Sequence, residues 1–358
     1  MINNSRAVEN AYSMMKYLYS ELANRRFKNM DITICQNLDD LYALIISTWS
    51  ASLAKEGLYK EYVTIEGEEM TSPKGQVDLQ ESIIRQSQTR GSLVCNYDEL
   101  SDNIYINKVL KGTMQYLLYQ PEISDEVKLS IQKSLIAFNG VERTDIELMN
   151  WKNVSFNNNN MRYKHLIEVC KTYFNEKSLA KTVGLDDGIR LYILFKKQIE
   201  KFLGQRYGGL LDVTTFEMPF TLENEPPFEL YINKVQRMTV LSSDDRSLIY
   251  LIRLQDELAM NDNKIRRKRL DEMVGYMREY MARTGTKASG VIVYVNTDRN
   301  KLNFEPMTVN IVENFPIGET IVDIFDQWRF IENKLNDPYK YFIERFNKGS
   351  NRKIIKRQ

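Results

Sequence analysis

The sequence contains few of the residues on which common catalytic and redox sites depend. Histidine occurs once, at His165, and the three cysteines, Cys35, Cys95 and Cys170, form no CxxC pair. This composition argues against a Ser-His-Asp triad, a histidine-based nuclease, a histidine-ligated zinc site and a disulfide framework. Any hydrolytic chemistry would therefore have to rest on carboxylates and a hard metal such as Mg²⁺.

Long apolar runs, common nucleotide-binding motifs and an excess of charge are also missing. No stretch of 18 apolar residues exists, which predicts no membrane span. The opening residues MINNSRAVENAY lack the apolar core of a signal peptide, so we expect a cytoplasmic protein. Neither GxxxxGK[ST] nor GxGxxG occurs, which argues against nucleotide binding by those routes. The formal net charge is +1, so any contact with nucleic acid must come from local patches.

The 358 residues, 43% of them hydrophobic, are enough for two or three folded domains. Helical periodicity and stop signals predict helices over about 7–27, 38–55, 107–120, 125–138, 161–175, 188–208 and 265–283. Residues 59–86 alternate around Pro73 and Gly75, which predicts strand, turn, strand, and the asparagine run 157–160 predicts a loop. Further strands are predicted within 229–241, 247–255 and 289–296. The last two flank a helix, so we expect a parallel pair with a right-handed crossover.

One long segment carries a family pattern. Residues 75–118, GQVDLQESIIRQSQTRGSLVCNYDELSDNIYINKVLKGTMQYLL, resemble the middle of the McrC family, the partner subunit of the McrBC modification-dependent restriction system. The opening helix and the segments 160–171 and 189–203 are similar to that family as well. The matching motif positions are Gly75, Val77, Asp78, Asp98, Glu99, Asp102, Asn107, Leu110 and Lys111.

The resemblance implies a division of labour along the chain. McrC-like proteins have an N-terminal region that docks into an AAA+ GTPase ring and stimulates it, and a C-terminal PD-(D/E)xK nuclease domain that cuts DNA. We therefore expect a mixed α+β protein. Residues 1–187 would be a helical and β partner-docking domain, and residues 188–358 an α/β restriction-endonuclease-like domain. The implied partners are a McrB-like AAA+ GTPase hexamer and DNA.

A PD-(D/E)xK site needs acids that converge on Mg²⁺ and a nearby lysine. The resemblance places the first acid around Arg237 or Met238, and the acid and lysine of the second strand at Leu251 and Arg253. Glu272 falls near the family's helix glutamine. The strand acids are therefore missing, and a guanidinium cannot ligate a metal. We expect a nuclease fold without catalytic residues, metal or cofactor.

A displaced active site is the alternative. Asp244 and Asp245 lie on the predicted hairpin turn, Asp256 and Glu257 follow the second strand, and Lys264 comes next. A shift of several residues in register would bring such acids toward a Mg²⁺ site. Acids at turns and helix starts are more often simply solvated.

Basic residues suggest two further contact regions. The segment NKIRRKRL is a candidate for phosphate contacts, although a solvated helix start would look the same. Its cations are Lys264, Arg266, Arg267, Lys268 and Arg269. Candidates for the motor-facing surface are Asn107 and Lys111, four residues apart on one helix, and Arg162 and Lys164 after the asparagine loop.

Three functions follow from these observations. The leading hypothesis is a McrC-like subunit of a restriction or phage-defence system that stimulates an AAA+ GTPase, with a pseudo-nuclease domain that contacts DNA. The second is an active Mg²⁺-dependent endonuclease with displaced acids. The third is a standalone DNA-binding scaffold that has lost its motor.

Overall fold

The computed structural model describes residues 4–24, 27, 30–146, 150–183, 187–219, 235–243, 246–254, 263–297, 307–324 and 328–344. The helices are α1 (Asn4–Leu18), α2 (Leu38–Lys55), α3 (Leu79–Ile84), α4 (Tyr105–Leu118), α5 (Asp125–Leu135), α6 (Lys164–Val183), α7 (Asp187–Tyr207), α8 (Asn263–Thr284) and α9 (Trp328–Tyr339). The strands are β1 (Glu61–Met70), β2 (Gln76–Val77), β3 (Leu93–Ser101), β4 (Asp212–Pro219), β5 (Val235–Ser242), β6 (Arg246–Leu254), β7 (Lys287–Asn296), β8 (Thr308–Val312) and β9 (Phe315–Asp323). No helix among these residues is long and apolar enough to span a membrane.

The chain divides into two compact units. We call Asn24–Phe174 the central unit, and Met1–Ala23 together with Asn175–Gln358 the C-terminal unit. The sequence predicts a different kind of division, between a partner-docking domain, 1–187, and a nuclease-like domain, 188–358. This functional division stays a prediction. Helix α1 packs against α7 within the C-terminal unit, where the Lys201 ammonium donates to the Leu18 carbonyl at 2.6 Å and so satisfies the end of α1.

The central unit combines helices with a sheet in the order β1-β3-β2. Helix α2 begins at Leu38 because the Asn37 side chain caps it by accepting from the Asp40 amide at 2.8 Å. The Asp40 carboxylate is fully buried and accepts the amides of Gln36 and Ser124 at 2.9 and 2.8 Å. This carboxylate therefore ties the start of α2 to the segment that leads into α5.

The C-terminal unit is built on a mixed sheet of order β4-β5-β6-β7-β9-β8. Strands β6, β7 and β9 run parallel, whereas β4–β5, β5–β6 and β8–β9 are antiparallel pairs. One face packs against α8, in a core that contains Leu251, Met273 and Ile292. On the other face, the Tyr192 hydroxyl of α7 donates to the Ile252 carbonyl and the Tyr250 hydroxyl donates to a carbonyl of α9, both at 3.1 Å. The sheet is thus covered on both faces.

The predicted mixture of helix and strand is confirmed, and so is the parallel pair β6–β7 joined through α8. Of the two strands predicted around Pro73 and Gly75, the first exists as β1, whereas the second is only the two residues of β2 and gives way to helix α3. The two strands do not pair with each other because β3 lies between them. The sequence patterns do not predict α3, α9, β3, β4, β8 and β9. Residues 229–234 and residue 255 of the predicted strands lie outside the described residues.

Candidate functional site

The positions equivalent to a nuclease site lie on β5 and β6 of the C-terminal unit. Leu251 and Arg253 point to one sheet face, because alternate strand residues share a face. Met238 and Leu251 belong to the buried core that α8 covers, and each is at most 1% exposed. The structure therefore brings these positions together, but beneath a helix and among apolar side chains.

Arg253 forms a buried ion pair on this face. Its Nη2 donates to Oε1 of Glu272 on α8 at 2.8 Å, and the two side chains are 3% and 8% exposed. The hydroxyl of Tyr276, one turn further along α8, donates to the same oxygen. The residues at the expected lysine and helix-glutamine positions thus neutralise each other and link β6 to α8.

A second buried carboxylate lies nearby on β9. Glu319, whose side chain is 5% exposed, accepts from Arg266 Nη2 at 2.6 Å, from Asn310 Nδ2 at 2.6 Å and from the Tyr294 hydroxyl at 3.1 Å. Burial, followed by the Glu319 carboxylate, raises the pKa of Tyr294 above its ordinary value, so this hydroxyl stays protonated and acts as a donor. The sequence patterns did not identify Glu319. The signal for it is an acid at the centre of the strand FPIGETIVD, directly after Ile317 and Gly318.

Mg²⁺ does not fit the expected ligand positions on this face. They offer a thioether, an aliphatic side chain and a guanidinium, whereas Mg²⁺ requires oxygen ligands. The two buried carboxylates are each paired with an arginine instead. Within the part of the chain that the structure describes, no cluster of three or more His, Cys, Asp or Glu residues could hold a metal.

The displaced-site alternative depends on residues that are mostly outside the described ones. Asp244, Asp245, Asp256 and Glu257 all lie there. Lys264 is described, and it is exposed at the start of α8. A displaced active site therefore stays a prediction, which a DNA-cleavage experiment tests.

A cavity of about 370 Å³ lies at the β4–β5 edge of the sheet, on the face away from α8, and the sequence patterns did not predict it. It is lined by Glu200 of α7 and by the ion pair between Glu217 and Arg237, whose atoms are 2.8 Å apart. Burial raises the pKa of Glu200. Glu217 alternates with the core residue Phe216, so it faces away from Leu251 and does not restore the missing acids.

The basic segment at the start of α8 splits into two groups. Lys264, Arg267 and Lys268 are exposed. Arg266 reaches Glu319, and the Arg269 guanidinium lies 5.7 Å from the centre of the Tyr294 ring. Lys264, Arg267 and Lys268 therefore face solvent together, whereas Arg266 and Arg269 face the sheet.

Two of the predicted partner-binding residues lie inside the central unit. Asn107 is fully buried, and its Nδ2 donates to the carbonyls of Tyr59 at 2.9 Å and Asp102 at 2.7 Å. The Lys111 ammonium donates to the carbonyls of Phe138 at 3.0 Å and Val141 at 2.5 Å. These contacts connect α4 to the backbone at Tyr59, Asp102, Phe138 and Val141. A role of Asn107 and Lys111 in partner binding stays a prediction.

The other two predicted partner-binding residues, Arg162 and Lys164, are exposed. Arg162 donates to the Gly57 carbonyl at 2.7 Å and to the Glu56 carboxylate at 3.1 Å. These contacts fix the turn that follows α2, and the partner-binding role of both cations likewise stays a prediction.

Several family-pattern positions have identifiable structural roles in the central unit. Gly75 has φ +69°, in the left-handed region that favours glycine, and its Cα faces the backbone of Asn96 and Tyr97. Asp78 caps α3 by accepting the Glu81 amide at 2.9 Å. Asp98 accepts from the Thr64 hydroxyl across β1 and β3 at 2.7 Å. The pattern therefore encodes the small sheet and its connection to α4.

Replacing Lys111 with methionine is expected to destabilise the central unit by about 1.5–3 kcal/mol, because two hydrogen bonds from a charged donor are lost. Chemical unfolding of the full chain measures the effect. Lys108→Met on the same helix is the matched control. Lys108 pairs at 2.7 Å with Glu142, which is 68% exposed, so its loss should cost about 0–1 kcal/mol. Equal losses for the two variants would contradict the structural role of Lys111.

Two of the three cysteines, Cys35 and Cys170, offer no reactive thiolate. All three are buried and free of disulfides. Burial, with a smaller contribution from nearby Asp40 and Asp31, raises the pKa of Cys35 to about 12, and burial raises that of Cys170 to about 12. Both thiols are therefore protonated at neutral pH.

The chain matches one family model and is similar to several known proteins. The family model of the McrBC 5-methylcytosine restriction system component matches residues 4–215. The chain is 20% identical over 346 residues to the Type IV methyl-directed restriction enzyme EcoKMcrBC of Escherichia coli (strain K12), covering 90% of this chain and 97% of that relative. Among solved structures, it is similar to a chain of the half-complex from the tetradecameric assembly of Thermococcus gammatolerans McrB AAA+ hexamers with bound McrC. The TM-score is 0.54 at 14% identity, over 93% of this chain and 75% of that one. A chain of the Thermococcus gammatolerans McrBC complex gives a TM-score of 0.40 at 16% identity, over 57% and 59%.

Proposed function

The chain belongs to the family of McrBC 5-methylcytosine restriction system components, and we propose that it is a McrC-like subunit that binds and stimulates an AAA+ GTPase ring. The observation that carries this proposal is the extent of the likeness, since one relative aligns over 90% of the chain. The shared fold with a chain from an assembly of McrB hexamers and McrC supports the same role. The central unit, which holds most of the McrC pattern, is the part we assign to the ring.

We further propose that the C-terminal unit is a PD-(D/E)xK-like domain without nuclease activity that contacts DNA. Its element order, α7-β4-β5-β6-α8-β7, contains the hairpin and helix on which the resemblance places the nuclease motif, followed by the parallel strand that the sequence pattern predicts. The absence of activity is supported by the buried pair of Arg253 and Glu272, which fills the expected lysine and glutamine positions. The side chains packed under α8 are apolar around Met238 and Leu251 and ion-paired at Glu272 and Glu319, and this packing supports the absence of hydrated Mg²⁺ and a scissile phosphate at those positions.

A reconstitution with a McrB-like AAA+ GTPase, to be sought first in a neighbouring gene, tests both proposals. Methylated and unmethylated plasmids are incubated with both proteins, Mg²⁺ and GTP. We expect faster GTP hydrolysis when this chain is added, and no DNA cleavage. An unchanged GTPase rate would contradict the partner assignment. Cleavage that disappears in the Asp256→Ala/Glu257→Ala variant would instead establish an active nuclease with displaced acids.

A further inference from the structure

We propose that the exposed side of the first turns of α8, formed by Lys264, Arg267 and Lys268, contacts the phosphates of duplex DNA, and that Arg266 and Arg269 position this surface. The inference rests on the proposed DNA-contacting role of the C-terminal unit and specifies which residues carry it. We call the three exposed cations the basic face.

Helix geometry separates the five cations. Successive residues are rotated by about 100° around a helix, so positions i, i+3 and i+4 share one side. Lys264, Arg267 and Lys268 have this spacing and are all exposed. Arg266 and Arg269 fall on the side that faces the sheet.

Arg266 is anchored to the sheet through Glu319. Its Nη2 and Nε lie 2.6 and 3.1 Å from Oε2 of that carboxylate, which is 5% exposed and is itself fixed by Asn310 and Tyr294. A guanidinium that donates two hydrogen bonds to a carboxylate is held in position and orientation. The start of α8 is therefore fixed against β9.

Arg269 provides a second anchor one turn along. Its guanidinium carbon is 5.7 Å from the ring centre of Tyr294, within range of a cation–π interaction. Tyr294 also donates to Glu319, so both arginines converge on one buried group of side chains. This arrangement holds two of the five cations against the side chains of the sheet, and the other three lie on the exposed side of the helix.

The chemistry of the basic face suits a phosphate backbone. Lys264 and Lys268 are four residues apart, or about 6 Å along the helix axis, which is close to two 3.4 Å steps of a DNA strand. Cations at a helix N-terminus oppose the helix dipole, so the helix itself does not account for them. Exposed Asp271 marks the end of the face one turn later.

The salt dependence of DNA binding distinguishes contact residues from positioning residues. Binding of the full chain to a labelled duplex is measured by fluorescence anisotropy between about 50 and 200 mM salt. Each phosphate contact contributes about 0.9 to the slope of log K against log salt concentration. The triple variant Lys264→Gln/Arg267→Gln/Lys268→Gln should therefore reduce the slope by about 2.7. Arg278→Gln/Arg283→Gln, at exposed arginines further along α8, should leave it unchanged.

The positioning residues should behave differently. Arg266→Gln should weaken binding at every salt concentration without changing the slope, and Arg266→Lys should restore part of the affinity. Arg269→Gln leaves the pair between Arg266 and Glu319 intact, and it tests the second anchor if Arg266→Gln does not fold.

Each contrary result has a distinct meaning. A wild-type slope in the triple variant would overturn the basic face while leaving DNA contact by this unit intact. A slope reduced by about 0.9 in Arg266→Gln would make Arg266 a contact residue. No salt-dependent binding by the wild-type chain would remove the proposed DNA contact, and the basic face with it.

Discussion

Replacing Arg253 with leucine is expected to destabilise the C-terminal unit by about 3–5 kcal/mol, because it leaves the carboxylate of Glu272 buried without its counter-charge. The two side chains are 3% and 8% exposed, so water cannot compensate the lost partner. Tyr276 still donates one hydrogen bond to Glu272, but a neutral donor does not balance the charge. The opening free energy of β6, measured by amide hydrogen exchange, reports the loss where it occurs.

Two further variants show whether the effect comes from the buried charge. Arg253→Leu/Glu272→Leu removes both charges, and most of the stability should return because apolar residues often replace a buried pair without loss. Arg283→Leu breaks an exposed pair with Glu279 on the same helix and a cation–π contact with Phe216, and it should cost at most about 1.5 kcal/mol. A similar small loss for Arg253→Leu would contradict the assignment of a buried, coupled pair.

The ion pair of Arg253 with Glu272 also shows how much of the candidate site the sequence could predict. The spacing of Leu251 and Arg253 was sufficient to place both on one strand face, since strand alternation is local. Pairing with Glu272 depends on how α8 packs across that face, which is tertiary information. Glu319 lies 66 residues beyond Arg253, on strand β9, which the local sequence pattern does not predict. A buried acid on such a strand finds its partner only when the whole sheet is assembled.

The fold shows the same contrast between local and distant information. Helix α2 was predicted from its first to its last residue, because Asn37 is a local cap and the apolar pattern that follows it is continuous. Strand β3 was missed because its sequence, LVCNYDELS, has no clean alternation and its second half is exposed. The place of α1 in the C-terminal unit depends on contacts such as that of Lys201 with the end of α1, 183 residues away along the chain. Spacing within a short segment carries no information about such a contact.

Gly75→Ala is expected to destabilise the central unit by about 2–5 kcal/mol, for two reasons. A Cβ would lie 2.5 Å from the Cβ of Tyr97 and 2.9 Å from its Cα, so β2 must move away from β3 at a cost of about 1–3 kcal/mol. In addition, φ of +69° costs an L-residue about 1–2 kcal/mol. Amide exchange of β3 measures the change in opening free energy.

Gly91→Ala separates these two contributions and links them to function. Gly91 has φ +70°, and a Cβ added there would meet no described atom within 4 Å, so only the conformational cost of about 1–2 kcal/mol should remain. If the central unit docks into the GTPase ring, Gly75→Ala should also reduce GTPase stimulation, whereas Gly91→Ala should preserve it. Full stimulation by a destabilised Gly75→Ala chain would mean that this glycine serves folding alone and that the β2–β3 pairing is not part of the docking surface.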